Sequence, residues 1–190
     1  MQSLIAVLRR LHDAVFGGIE RFSGDWFLPA LARFAFLAVL YFYFLSSAQT
    51  KLGDGLFGFL NPSDAAYYQI ALPAVEAAGG DVSQLAFLPW GLIVRLGTWA
   101  EFVLPAMIVL GLFSRVAALG MIVFVAVQTL VDIAVHKVDA ATVGAMFDRF
   151  PDALIADQRL LWLAILLVIV VKGGGALSLD RLLAKRFPAR

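Results

Sequence analysis

The fold is decided by residues 89–135, PWGLIVRLGTWAEFVLPAMIVLGLFSRVAALGMIVFVAVQTLVDIAV. This stretch contains two long apolar segments, residues 89–112 and 114–135, and each reaches the roughly 20 residues that an α-helix needs to cross a bilayer. The connection from Gly111 to Ser114 is too short for anything but a tight hairpin. The stretch therefore predicts two antiparallel membrane-spanning helices.

Two further apolar segments complete the prediction. The first covers residues 29–51, where Pro29 is a typical helix-start residue and Lys51 closes an uncharged run. The last covers residues 157–173 and ends at a run of three glycines. We therefore predict an all-α fold, an integral membrane four-helix bundle forming a single membrane domain over residues 1–190.

Three segments fall outside the predicted spans. Residues 1–22 place leucines, Val15 and Ile19 at helical spacing with charged residues between them, which predicts an N-terminal amphipathic interfacial helix. Residues 53–88 predict a partly helical extracytoplasmic connection, with a short helix over 63–78 that is interrupted at Pro73. Residues 176–190 predict a cytoplasmic tail whose helix is capped by Ser178.

Composition supports a membrane protein and excludes several other classes. Of the 190 residues 62% are hydrophobic and 15% are charged, and the mean hydropathy is +0.88, outside the range of soluble domains. The net charge of +1 and the lack of a basic run exclude nucleic acid as a partner. The chain has no cysteine, which excludes disulfides, thiol chemistry and cysteine-ligated clusters. The N-terminus lacks the pattern of a signal peptide, so the first span is expected to act as an uncleaved signal.

The distribution of basic residues predicts the orientation. Four spans return the chain to the side on which it began, and Lys and Arg are concentrated on that side: Arg9, Arg10, Arg21, Arg115, Arg181, Lys185, Arg186 and Arg190. The opposite side carries the acidic connections. By the positive-inside rule both termini are expected in the cytoplasm.

Glu101 is the charge that most needs an explanation. It is expected near the middle of the bilayer, where a carboxylate costs several kcal/mol unless it is paired, protonated or hydrated. Arg95 lies on a different helix face, so we consider Arg33, Lys51 and Gln128 as partners, with Thr98 as a water-mediated bridge between Arg95 and Glu101. Pro105 leaves the Glu101 carbonyl without its helical donor, and such breaks line cavities in transporters.

These residues predict an outward-facing cavity between the helices. Glu101 is the candidate proton acceptor or relay, and the candidate ligand-binding residues are Lys51, Arg95, Gln128 and Asp132. The alternative for Arg95 and Glu101 is a purely structural ion pair within the bundle. For Asp132, together with His136, Asp157 and Arg159, the alternative of solvated helix ends is preferred.

Resident cofactors are not expected from the side chains available. The two histidines, His12 and His136, lie on opposite sides of the membrane, which argues against bis-histidine haem and against a histidine-rich metal site. The glycines at 173–175 lack the Lys-Ser/Thr ending of a phosphate loop. We therefore predict no metal and no covalent cofactor.

Several spaced elements resemble the DoxX family of small four-helix bacterial membrane proteins, over most of residues 33–180. The elements are Arg33, Lys51-Leu52, Glu101, Leu110-Gly111-Leu112-Phe113-Ser114-Arg115, Ala117-Ala118, Asp157 with Leu160-Leu161, and Gly173-Gly174-Gly175-Ala176-Leu177-Ser178-Leu179-Asp180. The chain departs from the family pattern at Ser47 and Ala48, where a glycine is common, and in its long first connection.

The resemblance implies a protein of the bacterial inner membrane that serves as a redox-associated subunit. It implies a quinone as the candidate non-covalent cofactor, and the charges of the predicted cavity make a small anion the other candidate ligand. The predicted partners are the lipid bilayer, a soluble or membrane redox protein, and further copies of the chain in a homo-oligomer. Two alternatives stay open: a non-catalytic anchor or assembly factor for a soluble protein, and, more weakly, a small-solute transporter.

Overall fold

The computed structural model describes residues 2–55 and 57–187. Met1, Leu56 and residues 188–190, which the predicted N-terminal helix, connection and tail include, lie outside the described residues. In chain order the helices are α1 (Gln2–Ser23), α2 (Phe27–Gln49), α3 (Asp64–Ile70), α4 (Leu72–Ala77), α5 (Phe87–Leu110), α6 (Ser114–Ala134), α7 (Ala140–Val143), α8 (Leu154–Lys172) and α9 (Leu179–Arg186). No strand occurs within these described ranges.

Helices α2, α5, α6 and α8 are long and apolar enough to cross a membrane, with mean hydropathy between 1.6 and 2.2. The predicted all-helical fold, with four helices long and apolar enough to cross a membrane, is confirmed. The largest shift is in α8, which begins three residues before the predicted start with a wide π-helical turn, Leu154–Gln158. The Asp157 carboxylate accepts a hydrogen bond from the Ala153 N–H at 3.0 Å and so satisfies a donor at this helix start.

All four spans contribute to one apolar core. Its largest fully buried side chains come from α2 (Phe36, Leu40, Phe44), α5 (Ile108), α6 (Met121) and α8 (Leu166, Ile169). The opposite faces of the same helices are also apolar and exposed, as in Val116 at 67% and Val171 at 68%. Apolar residues on both the inner and the outer face are what a bundle surrounded by lipid requires.

Arg33 fastens the ends of two spans at the side of the bundle that carries the chain termini, hereafter the terminal side. Its guanidinium donates to the Ile108 carbonyl at 3.0 Å and to that of Val109, which are among the last carbonyls of α5. It also donates to the carbonyls of Gly174, at 3.1 Å, and Leu177, which follow α8. Because the last carbonyls of a helix have no partner within it, Arg33 supplies the missing donors.

Asp180 performs the complementary role at the start of α6. Its carboxylate accepts from the N–H groups of Phe113, at 2.6 Å, and Ser114, at 2.9 Å, and from the Ser114 hydroxyl at 2.7 Å. Close backbone approach makes this junction possible, since a Cβ at Gly174 would lie 2.5 Å from the Ser114 Oγ. The predicted cap is confirmed nearby, where the Ser178 Oγ accepts from the Arg181 N–H at 3.2 Å.

The other side of the bundle, hereafter the loop side, holds the connections 50–86 and 135–153. The predicted helix over 63–78 forms two helices, α3 and α4, and the break falls at Ala71 instead of Pro73. Pro73 is the second residue of α4, where its missing N–H costs nothing, because the first N–H groups of a helix are unpaired. Buried Ala66 and Ala71 pack with Val94 and so seat this connection on α5.

Candidate functional site: a polar cavity between the second and third spans

A cavity of about 560 Å³ lies between α5 and α6 in the loop-side half of the bundle. On α5 its lining residues recur every three or four positions from Ile93 to Leu104, and on α6 they recur in the same way from Gly120 to Asp132. This spacing means that one face of each helix lines the cavity. Residues of α2, of the connections and of α3 complete it. The polar lining residues are Ser47, Lys51, Gln69, Glu101, Gln128, Asp132 and His136.

Two close contacts bound this space. A Cβ at Gly120 would lie 3.2 Å from both δ carbons of Leu104, so the two spans touch there and close the cavity toward the terminal side. A Cβ at Gly97 would lie 3.1 Å from Ile70 Cδ1, so the outer connection packs closely on α5. Small residues thus allow close packing at the edges of the cavity.

The cavity also opens sideways. Leu96 of α5 and Val123 and Val127 of α6 line it, yet 53% to 62% of each is exposed on the lipid-facing surface. A lipid-soluble molecule could therefore reach the polar wall from within the bilayer, without crossing the loop-side connections.

Lys51 and Glu101 form a buried ion pair on the wall of this cavity. Their exposed fractions are 3% and 5%, and Lys51 Nζ lies 2.8 Å from Glu101 Oε2. The same ammonium donates to the Ser47 Oγ at 2.7 Å and to the Ser47 carbonyl at 3.2 Å. Since an ammonium has three N–H donors, this geometry uses all of them. Of the three partners considered for Glu101, the structure thus selects Lys51.

This pair joins the end of the first span to the middle of the second. A charge buried in an apolar surrounding is tolerated when it is paired and hydrogen-bonded, and removing one partner leaves the other uncompensated. The Thr98 hydroxyl donates to the Val94 carbonyl of its own helix at 2.8 Å, and a water-mediated bridge through Thr98 stays a prediction.

A second ion pair connects α8 to α6. Arg159, which is 3% exposed, donates to the Asp132 carboxylate and, at 2.6 Å, to the Thr129 hydroxyl. Its guanidinium also lies 5.9 Å from the centre of the Trp162 ring. The preferred interpretation of Arg159 and Asp132 as solvated helix ends is therefore wrong. Because α8 begins at Leu154, Arg159 lies more than a full turn inside the helix.

Gln128 lines the cavity and has one end of its side-chain amide unpaired. Its side-chain amide contacts the Tyr43 hydroxyl at 3.1 Å, whereas its Oε1 is buried and has no hydrogen-bond partner among the described residues. If the amide oxygen and nitrogen are exchanged, the oxygen contacts the Tyr43 hydroxyl and the NH2 group is the end without a partner. Gln128 therefore keeps one end of its amide unpaired next to the cavity, and a rotation of the side chain would be needed to present that end to a molecule in the cavity.

His136 lies at the loop-side mouth, where its Nε2 is 3.1 Å from the Gln69 carbonyl and the ring is exposed. No group of three or more His, Asp or Glu residues close enough to hold a metal ion occurs within residues 2–55 and 57–187.

Arg95 does not line this cavity. Its guanidinium donates to the carbonyls of Leu60, at 2.9 Å, and Gly91, at 3.2 Å, and to the Asn61 side chain at 3.3 Å. It also lies 5.1 Å from the centre of the Phe87 ring. These contacts fasten the loop-side connection to the start of α5, beside a separate outer cavity of about 500 Å³. The predicted set is therefore divided: Lys51, Glu101, Gln128 and Asp132 share one cavity, and Arg95 lies outside it.

Comparisons with family models, with curated proteins and with solved structures find no match to this chain. The geometry of the cavity is therefore the basis for a functional assignment.

Proposed function

We propose that the chain is a redox-associated membrane subunit that binds a lipid-soluble ligand with a hydrogen-bonding head group in the cavity between α5 and α6. A quinone is the candidate ligand class. The observation that carries the proposal is the combination of a side opening toward lipid with a buried polar wall, which contains Glu101 and Gln128. Such a cavity suits a molecule with an apolar tail and a polar head.

The charges of the wall favour a neutral head group over the small anion that was the other candidate. Lys51 is paired with Glu101, and Arg159 is paired with Asp132, so neither cation is available without breaking a buried ion pair. An added anion would also meet both carboxylates at close range. A quinone accepts hydrogen bonds in its oxidised form and donates them as a quinol, and the unpaired end of the Gln128 amide can match one of these once a side-chain rotation turns it into the cavity.

Glu101 is the proposed proton acceptor at this site. When a bound quinol is oxidised, its two electrons would pass to a redox partner protein, and its hydroxyl protons would be released on the loop side. The Glu101 carboxylate lines the cavity and could take the first of these protons. The chain has no cysteine and, among the described residues, no group of three or more His, Asp or Glu side chains that could hold a metal ion, and in this proposal the electrons therefore pass directly from the ligand to the partner.

The charges at the two sides of the bundle support an orientation in the membrane. Within residues 2–55 and 57–187 the terminal side carries nine basic and four acidic residues, whereas the loop side carries five basic and ten acidic ones. We infer that the termini face the cytoplasm and that the cavity faces the extracytoplasmic half of the membrane. The resemblance to DoxX proteins supports the bacterial inner membrane as the location.

A non-catalytic anchor or assembly factor is the second candidate. It is favoured by the way the buried charges connect different parts of the bundle: Lys51–Glu101 joins the turn that follows α2 to α5, and Asp132–Arg159 joins α6 to α8. In that case the charges hold the bundle together, and the loop-side connections recruit the partner.

Obstruction of the side opening tests the ligand proposal. Val127→Trp would fill the opening from α6, whereas the control Leu130→Trp adds the same bulk on that helix at a lipid-facing position outside the cavity. In lipid nanodiscs we expect Val127→Trp to weaken binding of a long-chain quinone by about tenfold or more, and Leu130→Trp to leave it unchanged. A wild-type protein that neither retains nor binds quinone would refute the proposal and favour the anchor.

A further inference from the structure

Helix α1 has an apolar side that no part of the described chain covers. Its apolar residues recur at helical spacing and are between 48% and 71% exposed: Leu4, Leu8, Leu11, Val15, Ile19 and Phe22. The helix ends three residues before α2 begins, so the first span holds it close to the membrane surface. A stripe of this kind on a helix next to a span is a membrane-contacting surface.

Arginines border this stripe. At 100° per residue, Arg9 falls at one edge of the apolar side, and Arg10 and Arg21 fall toward the other. None of the three forms an ion pair with a described residue. Their long side chains can reach lipid phosphates while the apolar side lies in the acyl boundary.

The short helix α9 adds basic residues at the same side of the bundle. Asp180, in its first turn, fixes it against the start of α6 through the hydrogen bonds described above. Its last turn carries Lys185 and Arg186, and Leu182 is 61% exposed. Both helices therefore present exposed apolar and basic side chains at the level of the span ends.

We propose that α1 and α9 bind the surface of a leaflet rich in acidic lipids, and that Arg9, Arg10 and Arg21 select phosphate-bearing head groups with net negative charge. The excess of basic over acidic residues on this side complements such a surface. The selection does not depend on which ligand the cavity holds.

Because the chain has no cysteine, a single introduced cysteine can be labelled specifically to test this proposal. An environment-sensitive dye attached to the new thiol of Leu11→Cys lies on the apolar side of α1, and the same dye attached to the control Ala6→Cys lies on the opposite side. The full-length variants are reconstituted in phosphatidylcholine vesicles with and without phosphatidylglycerol. We expect the dye at position 11 to be quenched by lipid-borne quenchers and the dye at position 6 to stay in water. Phosphatidylglycerol should strengthen the quenching, and added salt should weaken it.

Replacement of the arginines separates acidic-lipid selection from simple apolar contact. Each change of Arg9, Arg10 or Arg21 to Gln should reduce, by about fivefold, the factor by which phosphatidylglycerol strengthens binding of α1 to the membrane. Equal quenching in both lipids, unchanged by these replacements, would overturn the selection. A dye at position 11 that stays in water in both lipids would overturn membrane contact. Protection that rises with the protein-to-lipid ratio would instead assign the apolar side to a second copy of the chain.

Discussion

The Lys51–Glu101 pair is the feature whose loss has the most definite consequence. In Lys51→Met the Glu101 carboxylate keeps its burial but loses the ammonium 2.8 Å away. Breaking a buried pair in this way costs about 3–5 kcal/mol. Protonation of Glu101 sets a similar upper limit on this cost, because the variant can avoid a buried unpaired charge by keeping the carboxyl neutral. For an ordinary glutamic acid at pH 7 protonation costs about 3.7 kcal/mol. We therefore expect Lys51→Met to lower the free energy of unfolding by about 3 kcal/mol.

The measurement is a double-mutant cycle in mixed detergent micelles, with the free energy of unfolding followed by circular dichroism. Lys51→Met and Glu101→Leu should each destabilise the protein, and the combined variant should recover to within about 1 kcal/mol of the wild type, because two apolar residues replace the pair. Exposed residues provide the matched controls Lys137→Met and Glu76→Leu, which should have little effect. Additive effects of Lys51→Met and Glu101→Leu would refute a direct interaction between the two side chains.

Three further predictions follow from other contacts. Gly174→Ala should destabilise the protein by about 1–3 kcal/mol, because the added Cβ would lie 2.5 Å from the Ser114 Oγ at the start of α6. The control Gly18→Ala should not destabilise it, since no atom lies within 4 Å of a Cβ at that position. Equal thermal stability of the two variants would contradict this prediction. Asp132→Asn leaves Arg159 buried without a carboxylate and should cost about 3 kcal/mol in the same unfolding assay; an unchanged value would show that the pair contributes nothing. Hydrogen bonds from the backbone and side chain of Thr142 lower the pKa of Asp139, so the ionised carboxylate stabilises the start of α7 at pH values above the usual aspartate pKa. This stabilisation is lost as the pH falls through the lowered pKa, and the measured sign would be a smaller protection factor for the capped Thr142 amide, relative to its intrinsic exchange rate at each pH; a protection factor that does not change with pH would contradict this.

The spans could be predicted because the length of an apolar run is a property of sequence alone. The depth of Glu101 could be predicted in the same way, since each helical residue rises about 1.5 Å. Depth limits the partners to a few residues, but rotation about the helix axis and the packing of neighbouring spans select among them. The sequence therefore left Arg33, Lys51 and Gln128 open as partners, and tertiary packing selected Lys51.

Arg95 and Arg159 show where sequence reasoning was insufficient. The contacts of Arg95 come from carbonyls and a side-chain amide in an irregular loop, for which periodicity gives no position. Arg159 was assigned to a helix end, but the helix begins earlier and buries it. The roles of Arg33 and Asp180 could have been predicted from residue type. An arginine near the ends of the spans can donate to the unpaired last carbonyls of a helix, and an aspartate there can accept from the unpaired first N–H groups.

The same cycle decides whether Glu101 is present for chemistry or for architecture. If its carboxylate only balances Lys51, the combined variant Lys51→Met/Glu101→Leu regains stability and still binds quinone, because Gln128 and the apolar lining are untouched. If Glu101 accepts a proton from bound quinol, the combined variant is stable and binds quinone, yet quinol oxidation in membranes that contain the redox partner stays slow. Stability and binding report on the packing of the wall, whereas only the oxidation rate depends on an ionisable group at position 101. Recovery of all three in the combined variant would therefore assign the pair to architecture.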